Sequence, residues 1–307
     1  MSDEIVHLQD GDTSVSIATS FGNNAYSMLV GGWEFLRTPE PLDKWRATTQ
    51  LGGIPLLAPW ANRLDGETYY ASGAQYRLNP GLGYLRYDAN HLPIHGLVLF
   101  TDRWKVTNLE RASVTSRLEF WRFPQWMAQF PFAHTIEITH RLSGTTLEVE
   151  TAVENHSAEP MPLSLGFHPF FQLSGSPREE WMLQLAAREL VVLSDKMVPT
   201  GERKSLTLPN SMRLADQSFD DVLTSLTGAE FSVQGENQRL RVRVGPRYPV
   251  VTFYTPPHGA FVCFEPMSAQ TNAFNLTHAG VDAGLQYIAP GGVWRESFWI
   301  SCDVGRT

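Results

Sequence analysis

Five polar side chains spread along this chain have the types and surroundings needed to move protons on a polyol. Arg63 closes the segment Pro59-Trp60-Ala61-Asn62-Arg63, and His95 lies in Leu92-Pro93-Ile94-His95-Gly96. His168 stands in Gly166-Phe167-His168-Pro169-Phe170-Phe171, Asp220 in Ser218-Phe219-Asp220-Asp221-Val222, and Glu265 in Cys263-Phe264-Glu265-Pro266. Four of the five have apolar or aromatic neighbours, where a charge is costly unless it is paired or used. Two imidazoles, two carboxylates and one guanidinium read together as an active site.

Each member also has a plainer reading. Glu265 follows the apolar run Gly259-Ala260-Phe261-Val262-Cys263-Phe264, which places it at the end of a buried strand. Pro266 lacks the N–H that a ladder needs, so the strand is expected to open into a loop there. With a reference pKa of about 4.3 the carboxylate would be ionised at neutral pH and able to act as a base. The plainer alternative is a Glu–Arg pair at a strand end. His168 could be a satisfied core histidine, but its aromatic wall also suits the C–H faces of a pyranose. Imidazole is moreover the side chain able to give or take a proton near pH 7.

The pair His91 and His95 has a spacing that would suit metal ligation on a helix, but Pro93 disfavours a helix and no third ligand follows. No metal is expected. His95 reads instead as a donor to a substrate hydroxyl, with Gly96 permitting close backbone approach, and His91 as peripheral. Arg63 ends a stiff loop, Ile54 to Asn62, that contains two prolines and a tryptophan. Such a loop would deliver a fixed cation with five donors. Asp220 and Asp221 form an acidic pair of a kind common in solvated turns.

The elements that must carry these groups are strands. Leu147 to Val153, Leu240 to Val244, Thr135 to Thr139 and Ser113 to Phe120 alternate apolar with polar residues, the period of a half-buried strand. Turn signals separate such runs, as in Leu142-Ser143-Gly144-Thr145, Ser174-Gly175-Ser176-Pro177 and Pro290-Gly291-Gly292. With 24 Gly and 20 Pro distributed along 307 residues, few windows remain for a long helix. A short helix or two in loops is the expectation. Many short strands with frequent turns imply an all-β fold of antiparallel sheets packed as a sandwich or barrel. Without a linker, charge run or repeat, residues 1–307 read as a single domain.

Composition narrows the function classes. A chain with 42% hydrophobic and 18% charged residues can bury a sizeable core. Its formal charge of −8 argues against nucleic acid, which selects a basic face. No stretch approaches 18 uninterrupted apolar residues, and Met1-Ser2-Asp3-Glu4-Ile5 lacks the pattern of a secretory leader. Cys263 and Cys302 read as reduced core thiols. A cytoplasmic protein without membrane contact follows as the expectation. No phosphate-binding loop, dinucleotide fingerprint, nucleophile elbow or Cys-x2-Cys pair is present. Glycoside hydrolysis by Asp220 and Glu265 fits the residue types, but leaves two histidines without a role.

At these residues the chain resembles the aldose 1-epimerase (mutarotase) family. The resemblance runs in order through Pro59-x2-Asn62-Arg63, His95-Gly96, Gly166 to Phe171, Pro199-Thr200-Gly201-Glu202, Phe219-Asp220, Phe264-Glu265-Pro266 and Asn272-Ala273-Phe274-Asn275, and closes at Ile288 to Gly292. It implies a large antiparallel β-supersandwich, with Glu265 as catalytic base and His168 as catalytic acid. It further implies that His95, Arg63 and Asp220, or the adjacent Asp221, bind sugar hydroxyls and the ring oxygen. No cofactor is implied. The partner would be a monosaccharide, and the protein a monomer or homodimer. The chain departs from typical galactose mutarotases at Glu265-Pro266-Met267-Ser268-Ala269-Gln270-Thr271-Asn272, where Glu-Thr-Gln and a later Pro-Asp are usual. That departure points to a divergent branch with another sugar.

In the implied mechanism Glu265 takes the anomeric proton while His168, as imidazolium, protonates the ring oxygen. Rotation about C1–C2 and reclosure then give the other anomer. Two groups in opposite protonation states imply a bell-shaped pH profile. The alternatives are a hexose-6-phosphate epimerase, with Arg86 or Arg178 as phosphate ligands, and a non-catalytic carbohydrate-binding sandwich.

Overall fold

The alternating segments pair with one another because each has one apolar face to bury. A computed structural model describes residues 5–305, apart from positions 49, 210 and 229. The acidic N-terminal segment 1–4 lies outside the described residues. Ser113–Glu119, His134–Ser143, Thr146–Asn155 and Gln238–Val244 all stand in one nine-stranded antiparallel sheet. Val293–Val304 lies between the last two of these. His134–Ser143 and Thr146–Asn155 form a hairpin closed from Ser143 to Thr146. Gly144 supplies the positive φ, 56°, that so tight a turn requires.

A seven-stranded sheet packs against the first. Its order is Pro199–Ser205, Ala187–Leu193, Phe219–Leu226, Val250–Thr255, Cys263–Met267, Gly166–Phe167, Leu56–Leu57. Phe167 meets Phe298 at 5.0 Å between ring centres, and Phe264 meets Phe231 at 5.6 Å, across the interior between the two sheets. Each such side chain, fully buried, contributes about 1.5–3 kcal/mol. A further sheet is built from Ile5–Asp10, Thr13–Ala18, Asn24–Val30 and Trp33–Glu34. The α-helices are short: Leu42–Trp45, Pro124–Met127 and Ala273–His278. The all-β supersandwich expected from the sequence is therefore the fold.

One local expectation is corrected. The strand carrying Glu265 does not open at Pro266 but continues to Met267, with Pro266 in register with Val251. On its other side the ladder comprises the single pair Gly166–Met267. The proline thus accompanies a ladder shortened on one side without ending the strand. Cys263 and Cys302 are buried free thiols, as expected. Among the described residues no helix is long and apolar enough to cross a membrane.

Candidate active site

The face of the seven-stranded sheet turned away from its partner carries the polar groups. Register explains which residues reach it. Asp220 stands opposite Tyr254, which stands opposite Cys263; Thr252 stands opposite Glu265. Because side chains alternate along a strand, Asp220, Thr252, Tyr254, Cys263 and Glu265 share one face. Phe253 and Phe264 project from the other face into the core. Asp221 pairs with Phe253 and so points away from the face that Asp220 occupies. The choice between the two aspartates, open in the sequence, falls on Asp220.

Loops close over this face. Asn62 lies at φ 52°, and its Nδ2 donates to Thr252 Oγ1 at 3.2 Å. His95, also at positive φ, donates its backbone N–H to the Asn62 carbonyl. Gly96 is needed here, but not for approach to a ligand. A Cβ on it would lie 2.0 Å from the Ala58 carbonyl oxygen, which accepts the Leu97 N–H. Its role is to let two loops pack. His91 is exposed, while His95 is buried, so the pair forms no common ligand set.

The result is a cavity of about 460 Å³ into which Arg63, His95, His168, Asp220 and Glu265 all face, together with Arg37, Asn62, Tyr254 and Phe261. That volume suits a small molecule. At its floor His168 Nε2 is 3.3 Å from Glu265 Oε1. The His168 ring lies parallel to Phe170 at 4.5 Å and meets His95 edge-on at 5.6 Å. Glu265 Oε2, His168 Nδ1 and His95 Nδ1 are buried without hydrogen-bond partners among the described residues. Unsatisfied buried polar atoms each cost about 1–3 kcal/mol, and a hydroxylated ligand would relieve that cost.

The electrostatics revise the simple picture of an ionised Glu265 beside an imidazolium. Burial, reinforced by Asp220, pushes the Glu265 carboxyl well above its ordinary range, against the pull of Arg63. Burial pushes His168 down to about 3, with Arg63 assisting and its own backbone opposing. His95 is lowered by burial and by the positive potential of its neighbours. Burial also raises Asp220, against Arg63. Burial thus favours the uncharged form of each group, a carboxylic acid on Glu265 beside a neutral His168 imidazole. A carboxylic acid with a neutral imidazole carries the same number of protons as a carboxylate with an imidazolium.

Sequence reasoning passed over several groups. Asp88 binds Arg63 Nε at 2.7 Å and accepts the N–H groups of Asn90 and Leu92. Asn272 donates its N–H to the Arg63 carbonyl and accepts the Asp65 N–H, which gives the Asn272 to Asn275 motif a structural task. Cys263 is on the cavity face by period two from Glu265, a signal readable only once the strand is known. Its thiol sulfur, His168 and Glu265 lie within 4.8 Å of one another and could hold a soft cation. Binding there would first have to deprotonate a thiol whose pKa burial has raised well above normal. Arg178 is spent elsewhere: its guanidinium donates to the carbonyls of Gly259, Ala215, Gln217 and Pro256. Arg86 lies over the Phe100 ring and not in this cavity's wall.

Two packed antiparallel sheets with a polar cavity on one outer face define the galactose mutarotase-like fold class. The chain belongs to the aldose 1-epimerase family, whose sequence profile matches residues 4–301, and it is an isomerase. A galactose mutarotase-like protein from Clostridium acetobutylicum superposes with a TM-score of 0.86 at 20% identity, over 98% of this chain and 95% of that one. An aldose epimerase homologue from C. elegans gives 0.80 at 18%, over 99% of each chain. Among curated proteins, the uncharacterised protein YihR of Escherichia coli (strain K12) is 25% identical over 289 residues, 92% of this chain and 88% of that protein.

Proposed function

We propose that this protein interconverts the α and β anomers of a hexose by acid–base ring opening and closure. The observation that carries the proposal is the 3.3 Å approach of His168 Nε2 to Glu265 Oε1 on the floor of a polar cavity. A sugar hydroxyl donating to the unpartnered Glu265 oxygen stabilises the carboxylate and lets the shared proton pass to His168. Glu265 then takes the anomeric hydroxyl proton while His168 protonates the ring oxygen. The C1–O5 bond breaks and a C1 aldehyde forms. After rotation about C1–C2, O5 attacks the other face, loses its proton to His168, and the new anomeric oxygen recovers one from Glu265. The pair ends as it began.

Arg63, His95 and Asp220 bind hydroxyls and the ring oxygen, and Tyr254, Phe170 and Phe261 supply apolar surface. The chemistry uses no cofactor beyond these side chains. Mutarotation already proceeds in water, so two positioned groups at about 10²–10⁴-fold each suffice. The protein acts in the cytoplasm, as a monomer or homodimer.

Saturation-transfer NMR of anomer exchange across a panel of aldoses tests this reading, with wild type and Glu265→Gln compared. Acceleration that is lost in the variant supports it. Absence of acceleration with every sugar leaves a carbohydrate-binding sandwich, and equal rates in both proteins remove Glu265 as the base.

A further inference from the structure

One cationic group in the cavity has no task in ring opening. Arg37 lies on the cavity wall beside Phe261, whose ring its guanidinium carbon covers at 4.6 Å. Its backbone is fixed: the N–H donates to Phe170 O and the carbonyl accepts from Gly53. Among the described residues, no carboxylate lies within ion-pair distance of its guanidinium. The other cavity arginine differs, since Asp88 already pairs with Arg63. Arg37 is half-buried and its cavity neighbour Gln50 exposed, whereas Glu265 is 1% exposed. Arg37 therefore stands nearer the mouth of the cavity than Glu265 does.

We propose that Arg37 recognises an anionic substituent at the end of the sugar remote from C1, so that the substrate is an acidic hexose. The inference rests on the mutarotase reading of the same cavity. Arg37 lines the cavity without an ion-pair partner among the described residues, and a planar guanidinium offers a two-donor fork to carboxylate, sulfonate or phosphate oxygens. Stacking on Phe261 holds that fork at low entropic cost. A neutral sugar would leave a cation beside it unmatched, in a protein whose net charge is −8. One unpaired guanidinium suits a single negative charge, because Arg178 is consumed by backbone carbonyls and cannot help to hold a dianion. The departure of residues 265–272 from the usual galactose mutarotase pattern agrees with a different sugar.

The test measures kcat/KM for anomer exchange with glucose and galactose and with their 6-carboxylate, 6-sulfonate and 6-phosphate counterparts. Wild type, Arg37→Gln and Arg37→Lys are compared, and Kd values for the same sugars are obtained by ligand-observed NMR. We expect at least one acidic sugar to exceed its neutral parent by about tenfold or more in wild type, the effect of one charge-assisted hydrogen bond. In Arg37→Gln that ratio falls toward one, mainly through KM, and Arg37→Lys retains part of it. The three anions separate a monoanion from a dianion preference. A wild-type ratio of one or less in both rate and Kd overturns the proposal, as does a ratio unchanged in Arg37→Gln. If no sugar is turned over, the mutarotase reading fails, while the Kd ratios still decide the role of Arg37.

Discussion

Asp88 holds Arg63 in place in the cavity wall. One carboxylate oxygen accepts Arg63 Nε–H at 2.7 Å, and the other accepts the N–H groups of Asn90 and Leu92 at 2.9 Å. Those hydrogen bonds and Arg63 hold the Asp88 carboxyl below its usual range although burial opposes them. A loop cation is thereby given a fixed direction by a second loop. Asp88→Ala should lower kcat/KM by about tenfold, the loss of one charge-assisted hydrogen bond. The loss should appear chiefly in KM, with His168 and Glu265 untouched. Steady-state anomer exchange resolves the split; a fall confined to kcat would place Arg63 in the chemical step instead.

Removing either proton-transfer group should be severe. Glu265→Gln and His168→Gln should each reduce kcat by about 10²–10⁴-fold. The double variant should be little worse than the worse single one, because the two act as a unit. Additive losses in a double-mutant cycle would contradict a shared proton.

The pH profile should be a broad bell. Activity needs one proton on the pair, so the acid limb marks the second protonation and the alkaline limb the loss of the shared proton. His168 is pushed down to about 3 and Glu265 well above the usual carboxylate range. Unperturbed groups would set the limbs at about 4.3 and 6.5; burial should move the acid limb below about 4.3, with the alkaline limb following the raised Glu265 carboxyl. Both limbs falling at those reference values in kcat/KM against pH would show that burial does not govern the pair.

Acid should destabilise the fold through histidines outside the cavity. His134 and His140 are buried and lowered to about 4, His134 despite a hydrogen bond to Phe132. Between about pH 6.5 and 4 the unfolded chain binds protons that the native state refuses, so stability falls as pH falls. Below about 4 these two groups add no further slope. Urea unfolding from pH 7 to 4 should show the decline, and His140→Leu should reduce its steepness.

Gly96→Ala should strike both stability and activity. Its Cβ would collide with the Ala58 carbonyl oxygen at 2.0 Å, at a residue already at φ 68°. A loss above about 2 kcal/mol follows from overlap and backbone strain together. Since His95 precedes Gly96, the sugar KM should rise as well. A melting temperature within a degree of wild type would show that the loops yield.

Much of this was legible along the chain because the signals are local. Alternation identified four strands of the nine-stranded sheet, and Gly and Pro density argued against long helices. Unpaired polar types in apolar settings marked the five residues that the cavity assembles. Other features depended on distant partners and had no local signal. Asp220 faces the cavity and Asp221 does not because of their register with Tyr254 and Phe253. Asp88 and Asn272 matter through contacts with the loop that carries Arg63, and Arg37 stands out only once it is seen to have no carboxylate partner among the described residues. The protonation of His168 and Glu265 was likewise beyond the sequence. Residue type sets a reference pKa, but burial and neighbouring charge decide which group holds the proton, and both are properties of the folded chain.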